Sequence, residues 1–288
     1  MNAFDESVRQ QIEKLTTLSP REVEAATTAK RQAWRQQHPW ASSTPPTPRA
    51  AFESLFFDYM GLSPEDLPIV AESENRITWR SQNPCPTLDA CLQLGLDTRR
   101  VCRAAYEKST QAFVSQIDPQ LRFHRSYQEI RPYAAHCLET IVRLDFAAMM
   151  RLAIAEAQQS RQEGNKGYGA VLVHDGRVLA SAHDTAATEH DPSLHAELKA
   201  IRQAVQVSGD ANLSGAVLFS TCEPCPMCAG LAVWANVTTI VYGASIEATA
   251  RLGKARIGVG VREIAAQSPV MLEVIGDVLA EECLALYR

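Results

Sequence analysis

The residues of this chain best suited to chemistry fall in two short stretches. Asp191-Pro-Ser-Leu-His195-Ala-Glu197 offers an imidazole and, two residues on, a carboxylate. Thr221-Cys-Glu-Pro-Cys225-Pro-Met-Cys228 offers two thiols three residues apart. Imidazole and thiolate are donors that Zn²⁺ prefers, and three protein ligands with a fourth position open distinguish a catalytic zinc site from a structural one. His195, Cys225 and Cys228 are therefore the predicted metal ligands, which leaves the Glu197 carboxylate free to act as a base. A closed zinc knot would need a fourth ligand, and Cys222 is the nearby candidate.

Particular elements must hold these groups in place. Leu194, Leu198, Ile201 and Val205 recur at helical spacing, so His195 and Glu197 are predicted to lie in a first helical turn. Ala216 to Ser220 is a short apolar run that reads as a buried strand, and Pro226 to Val233 reads as a helix after it. Cys225 and Cys228 then fall at a strand-to-helix turn. Two helix N-termini converge there, and their partial positive charge favours thiolate over thiol. Around this centre the pattern predicts a helix over 146–162, a hairpin turning at Asp175-Gly176 between strands 168–174 and 177–182, and a strand over 239–243. A helix near 246–252, a strand over 271–275 and a terminal helix from Val278 complete it. Strands alternating with helices after a hairpin give an α/β fold with a mixed five-stranded sheet and helices on both faces.

On His195-Ala-Glu197 and Pro224-Cys225-Pro-Met-Cys228 the chain resembles the cytidine deaminase superfamily, in the branch holding bacterial guanine deaminases and tRNA adenosine deaminases. H-x-E followed by P-C-x-x-C is a known signature of zinc-dependent nucleobase deaminases. The resemblance runs from roughly Asp145 to Arg288. It implies a three-layer α/β/α deaminase fold, a Zn²⁺ cofactor, and hydrolysis of an amino-bearing ring carbon to a carbonyl with release of ammonia. Glu197 would carry the proton, with Ala196, Pro224 and the Cys225 backbone beside the substrate. It further implies a homodimer.

The same resemblance bears on the substrate. Tyr168 and Trp234 stand where guanine deaminases carry aromatic residues, and two aromatic walls suit a flat, free heterocycle. Asp184, eleven residues before His195, stands where both families carry asparagine. A carboxylate only accepts hydrogen bonds, so a ligand with N–H or NH₂ groups is expected there, and Asp184→Asn is expected to shift substrate preference. Arg251, Lys254 and Arg256 replace acids of the guanine deaminases, which points either to a heterocycle with an anionic group or to a solvated helix end. Guanine or a related purine or pterin-like base is the expected small-molecule substrate. Asp191-Pro, Cys228-Ala-Gly and the ending Leu279 to Tyr287 resemble the tRNA adenosine deaminases, which convert A to I and form the alternative. A deaminase-like binding scaffold without turnover is the third reading, and the intact His195, Glu197, Cys225 and Cys228 argue against it.

With 288 residues, 46% of them apolar, the chain suits one large or two modest domains. A zinc-dependent deaminase domain over 144–288 is expected to follow a mainly helical N-terminal domain over 1–143. No apolar run approaches the roughly 18 residues that span a bilayer, and the first residues show no signal-like segment, so a cytoplasmic protein without membrane contact is expected. Lys and Arg number 17 against 17 acids up to residue 143, and 11 against 16 beyond it. Neither half is the basic body that phosphate binding requires, which argues against a nucleic-acid partner. In the first half, two helices are predicted within 1–39, the second capped by Ser19 with Pro20 behind it. A Pro-rich linker spans 42–48, and Arg49 to Leu62 carries an aromatic face at Phe52, Phe56, Phe57 and Tyr59 read as packing. Cys85, Cys91, Cys102 and Cys137, with His136, raise the question of a second metal, but their spacing matches no metal knuckle and buried packing is the expectation.

Overall fold

The computed structural model describes residues 3–40, 46–254, 257–268 and 272–288. The chain divides into two compact units, Met1–Leu144 and Asp145–Arg288.

The first unit opens with α1 (Ala3–Thr17) and α2 (Pro20–Gln37). A capping box starts α2: Ser19 and Glu22 each satisfy the other's backbone N–H, with Pro20 where no donor is needed. Then come α3 (Pro48–Glu53), which runs on into a π-helical turn over Ser54–Tyr59, β1 (Ile69–Ser73), β2 (Arg76–Ser81), α4 (Pro86–Leu94), α5 (Thr98–Ala105), α6 (Glu107–Ile117), β3 (Leu121–Arg125) and β4 (Cys137–Arg143). The four strands pair antiparallel in the order β1-β2-β4-β3. The sequence does not lead one to expect this sheet inside the mainly helical domain. Helices supply more residues, but the core is built on the sheet, with Phe52 and Phe56 packed on Trp79 at ring distances of 4.8 Å and 5.1 Å. The sheet escaped sequence reading because the inward rows of β2 and β4 include the polar Ser81 and Glu139, both buried, which interrupt the apolar alternation. Of the predicted linker, residues 42–45 lie outside the described residues, and Pro48 already belongs to α3 behind its N-cap Thr47.

The second unit contains α7 (Phe146–Gln162), β5 (Gly169–His174), β6 (Arg177–His183), α8 (Ala196–Ser208), β7 (Val217–Cys222), α9 (Pro226–Trp234), β8 (Thr239–Ala244), α10 (Ile246–Arg251), α11 (Val261–Gln267), β9 (Glu273–Ile275) and α12 (Ala280–Ala285). Its five strands run in the order β6-β5-β7-β8-β9. The first three are antiparallel to their neighbours and the last three parallel, the mixed sheet that the sequence predicts. Successive strand side chains point to opposite faces. Ala170, Leu172, Leu218 and Ile240 accordingly share one apolar cluster with Ala200 and Ile201 of α8 and Ala232 of α9. On the other face α7 packs against β5 and β7, with Phe146 edge-on to Phe219 at 5.5 Å. These are the three layers. α11 was not expected from the sequence, and Met271 of the predicted last strand lies outside the described residues.

The entry of β5 shows how tightly the site is framed. A Cβ on Gly169 would lie 2.0 Å from the Ala153 carbonyl oxygen and 2.5 Å from the Ala157 nitrogen, both on α7. Only glycine admits that approach, and it fixes the neighbouring Tyr168 at the mouth of the strand. At the end of β6, His183 bonds Glu156 of α7 at 2.7 Å and Glu163 at 2.9 Å, anchoring the residue that precedes Asp184. Among the described residues no helix is long and apolar enough to cross a membrane.

Candidate metal centre and active-site cleft

His195 is the N-cap of α8 and Cys225 the N-cap of α9, both in extended backbone conformation, and Pro226 occupies the first position of α9. Two helix N-termini therefore present partial positive charge to one point. The His195 Nδ1 atom stands 3.6 Å from Cys225 Sγ and 3.6 Å from Cys228 Sγ. All three ligand atoms lie within 4.8 Å of one another. Zinc bonds of about 2.05 Å to nitrogen and about 2.3 Å to sulfur, at a tetrahedral angle, put the two atoms about 3.6 Å apart. The donor set and its spacing thus fit a tetrahedral zinc.

The thiols' electrostatics agree with that fit. The hydrogen bond from Cys228 draws the Cys225 thiol down to about 3, against burial and with help from His195. Cys228 is pushed far up, by that same bond to Cys225 and by its own burial. A cation between the two sulfurs is what lets both ionise together. The His195 imidazole is raised first by its bond to Cys225, against burial, and further by the charges of Glu197, Cys225 and Asp184.

Glu197 sits in the first turn of α8 and is 6% exposed. Burial raises its pKa. Its Oε1 accepts from the Ser220 hydroxyl at 3.1 Å, and that hydroxyl also lies 2.7 Å from the Cys222 carbonyl oxygen. Sequence reasoning missed Ser220, although its signal was present: on β7 it alternates onto the same face as Leu218, the face covered by α8. It also missed the part played by Glu223, between the strand and Cys225. Its two carboxylate oxygens accept from Ile246 N and Val261 N, each at 2.9 Å, bracketing the segment that carries Gly253, Lys254 and Ile257.

A cleft of about 530 Å³ opens beside the centre, lined by Lys166, Tyr168, Pro192, His195, Cys225, Met227, Gly253, Lys254 and Ile257. Tyr168 is there as the sequence predicts, its ring 5.2 Å from that of Tyr287. Ala196, at the start of α8, and Pro224, before Cys225, are both buried and do not line the cleft. Asp184 is completely buried, and neither of its carboxylate oxygens has a hydrogen-bond partner. Trp234 does not form the expected second wall: it is 79% exposed at the last position of α9 and does not line the cleft. Six residues along a helix with 3.6 residues per turn carry it roughly 120° away from the buried Cys228. Of the basic residues, Lys254 lines the cleft, Arg251 pairs with Glu247 one turn before it on α10, and Arg256 lies outside the described residues.

No second cluster of this kind occurs among the described residues. Cys85 caps α4, accepting from Leu88 N at 3.4 Å, and Cys91 is fully buried. Burial holds Cys91 up at about 11 and Cys102 at about 12, so these are packed thiols.

Comparison with known proteins places this geometry in a family. Residues 145–244 match the cytidine and deoxycytidylate deaminase zinc-binding region. The guanine deaminase of Bacillus subtilis (strain 168) is 35% identical over 111 residues, 38% of this chain and 71% of that protein. The tRNA-specific adenosine deaminase of the same organism is 43% identical over 95 residues, 33% of this chain. The chain spans 59% of that relative's length. A solved structure from a study of A-to-I editing by tRNA:A34 deaminases is 31% identical, with 48% of this chain and 98% of that chain covered and a TM-score of 0.43. The chain belongs to the cytidine deaminase superfamily, and the family resemblance covers its second unit.

Proposed function

We propose that the second unit is a zinc-dependent hydrolytic deaminase that converts an amino-bearing heterocycle and water to the oxo ring and ammonia. The observation that carries this reading is the convergence of His195 Nδ1 and two cysteine sulfurs at zinc-ligand spacing beside the buried Glu197. His195, Cys225 and Cys228 would hold the ion, which when bound supplies Lewis-acid chemistry that brings the pKa of water towards neutrality. Glu197 does the proton work. With Oε1 bonded to Ser220, its Oε2 takes a proton from the attacking water and passes it to a ring nitrogen, then takes the second proton from the added hydroxyl and gives it to the departing amine. Tyr168 supplies one flat wall for the ring.

Guanine and related purine or pterin-like bases are the proposed substrates, supported by the Bacillus subtilis guanine deaminase among the relatives and by Tyr168 in the cleft. The 43% identity to the tRNA-specific adenosine deaminase favours a second reading, A-to-I conversion in RNA. A homodimer is part of the proposal, supported by the exposed Met227 and Trp234 of α9; a monomer mass in light scattering would remove it.

The test is Glu197→Gln in the full-length, zinc-loaded chain. Zinc content by elemental analysis is expected to stay at the wild-type level while ammonia release falls by about 10²-fold or more. Near-wild-type turnover would refute the assigned base, and a wild-type protein that binds rings without ever releasing ammonia would make the unit a binding scaffold.

A further inference from the structure

Tyr168 brings the one benzene ring among the described residues that line the cleft, since Trp234 turns away from it. The residues on either side of Tyr168 are both tied to the segment that follows α12. On one side the Arg161 side chain lies against Gly167, where a Cβ would come within 2.6 Å of its Cγ, and its Nη1 donates to the Leu286 carbonyl at 2.5 Å. On the other side Thr221 Oγ1 accepts from Gly169 N at 3.1 Å and lies 2.9 Å from the Tyr287 hydroxyl oxygen. Between these two ties the rings of Tyr168 and Tyr287 meet, with centroids 5.2 Å apart and planes at 36°.

Tyr287 is firmly held. It is 3% exposed and follows α12, which lies directly on β8: a Cβ on Gly243 would stand 2.2 Å from Cys283 Sγ. Its hydroxyl partner Thr221, on β7, is 0% exposed. Tyr168, by contrast, is half-buried. A tyrosine in that position must order two side-chain torsions before it presents its face to a ring, and that ordering is subtracted from affinity. A buried ring packed behind it, within the roughly 4.5–7 Å at which aromatic pairs attract, removes the cost in advance. Tyr287 does not itself line the cleft, so it reaches a bound ring through Tyr168.

We propose that Tyr287 is a positioning residue of the site: it holds Tyr168 as a preset wall for a flat heterocycle, and so sets the affinity of the cleft rather than the rate of the chemical step. This rests on the reading of Tyr168 as the wall against which the substrate ring lies.

A double-mutant cycle on binding tests it, in the full-length, zinc-loaded Glu197→Gln protein so that no turnover intervenes. The probe is 2-aminopurine, a flat aminated purine whose fluorescence changes when it stacks, and the four proteins carry Tyr168→Leu, Tyr287→Leu, both or neither. Tyr287→Leu is expected to raise Kd about three- to tenfold, the size of one side chain left to be ordered on binding. In the Tyr168→Leu background the same substitution should change Kd by less than about twofold, because the residue it acts through is gone. Tyr287→Phe, which keeps the ring, should restore most of the affinity. With Glu197 in place, Tyr287→Leu should raise KM for guanine while kcat and zinc content hold. Additive effects of the two substitutions overturn the proposal, as does a Tyr287→Leu protein that loses zinc or kcat at unchanged KM, which would make Tyr287 part of the scaffold. Absence of saturable 2-aminopurine binding overturns it too, because a preset wall should hold this purine. Where Tyr287→Leu does not fold, Thr221→Val, which cuts the tie to Gly169 at nearly constant shape, replaces it in the cycle, and non-additivity with Tyr168→Leu is again required. If the cycle comes out as expected while the wild type releases no ammonia from guanine, the deaminase reading fails and the role of Tyr287 stands. Ammonia release together with additive effects has the opposite meaning.

Discussion

Two buried carboxylates, one in each unit, are treated in opposite ways. Glu139, 3% exposed on β4, is saturated. Its Oε1 accepts from Arg125 Nε at 2.7 Å and Nη2 at 2.6 Å, and its Oε2 from Ser81 at 2.5 Å and Trp79 Nε1 at 3.2 Å. Asp184, equally buried, has no partner at either oxygen. A charge that serves the scaffold is completed by the scaffold, since an incomplete one in a low-dielectric interior weakens the fold. Glu223 belongs to the first class: both oxygens hold backbone donors, although the residue is two positions from Cys225. Proximity to the centre therefore does not set the pattern, and the direction in which the carboxylate is completed does.

The largest effect expected from this contrast is on the fold of the first unit. Glu139→Ala would leave the Arg125 guanidinium, whose side chain is 13% exposed, without its counter-charge, would strip Ser81 of its acceptor, and would leave Trp79 Nε1 only the Ser81 hydroxyl, 3.0 Å away. Removing one partner of a buried pair costs about 3–5 kcal/mol. Urea unfolding followed by tryptophan emission reads this directly in a Trp234→Phe background, because Trp34, Trp40 and Trp79 all belong to the first unit. A loss under about 1 kcal/mol, the size expected of an exposed pair, would break the comparison from its structural side.

The sequence and the structure agree most where spacing carries the meaning. Two residues between Cys225 and Cys228, an imidazole ahead of a helical apolar stripe, and a proline at a helix start are local rules, and they placed α8, α9 and the ligand group without reference to the rest of the chain. Elements whose inward face is apolar were legible for the same reason, which covers β5, β7 and β8. What stayed hidden depends on residues far apart in sequence. The first unit's sheet buries Ser81 and Glu139, and only Arg125 and Trp79 make those residues acceptable inside. Ser220 becomes the neighbour of Glu197 only when β7 lies under α8. Trp234 was misplaced because a match in position along the chain says nothing about which way a helix turns it.

A third carboxylate sharpens the comparison with the smallest effect. Glu24 on α2 is 6% exposed, and its buried Oε1 has no hydrogen-bond partner. Burial raises its pKa, opposed by the charges of Lys108 and Arg21. An acid whose pKa is raised on folding contributes stability that is fully present below its unfolded value of about 4.3 and lost as pH climbs through the folded value. The first unit should therefore be slightly more stable near pH 4 than this residue allows at pH 7. Glu24→Gln is expected to raise the urea midpoint at pH 7, by under about 1 kcal/mol, and to lose that advantage as the pH approaches 4. A variant with no advantage at pH 7, or one with the same advantage at both pH values, would mean that Lys108 completes Glu24 as an ion pair. The expected result would show that a buried carboxylate without a donor can be completed by a proton.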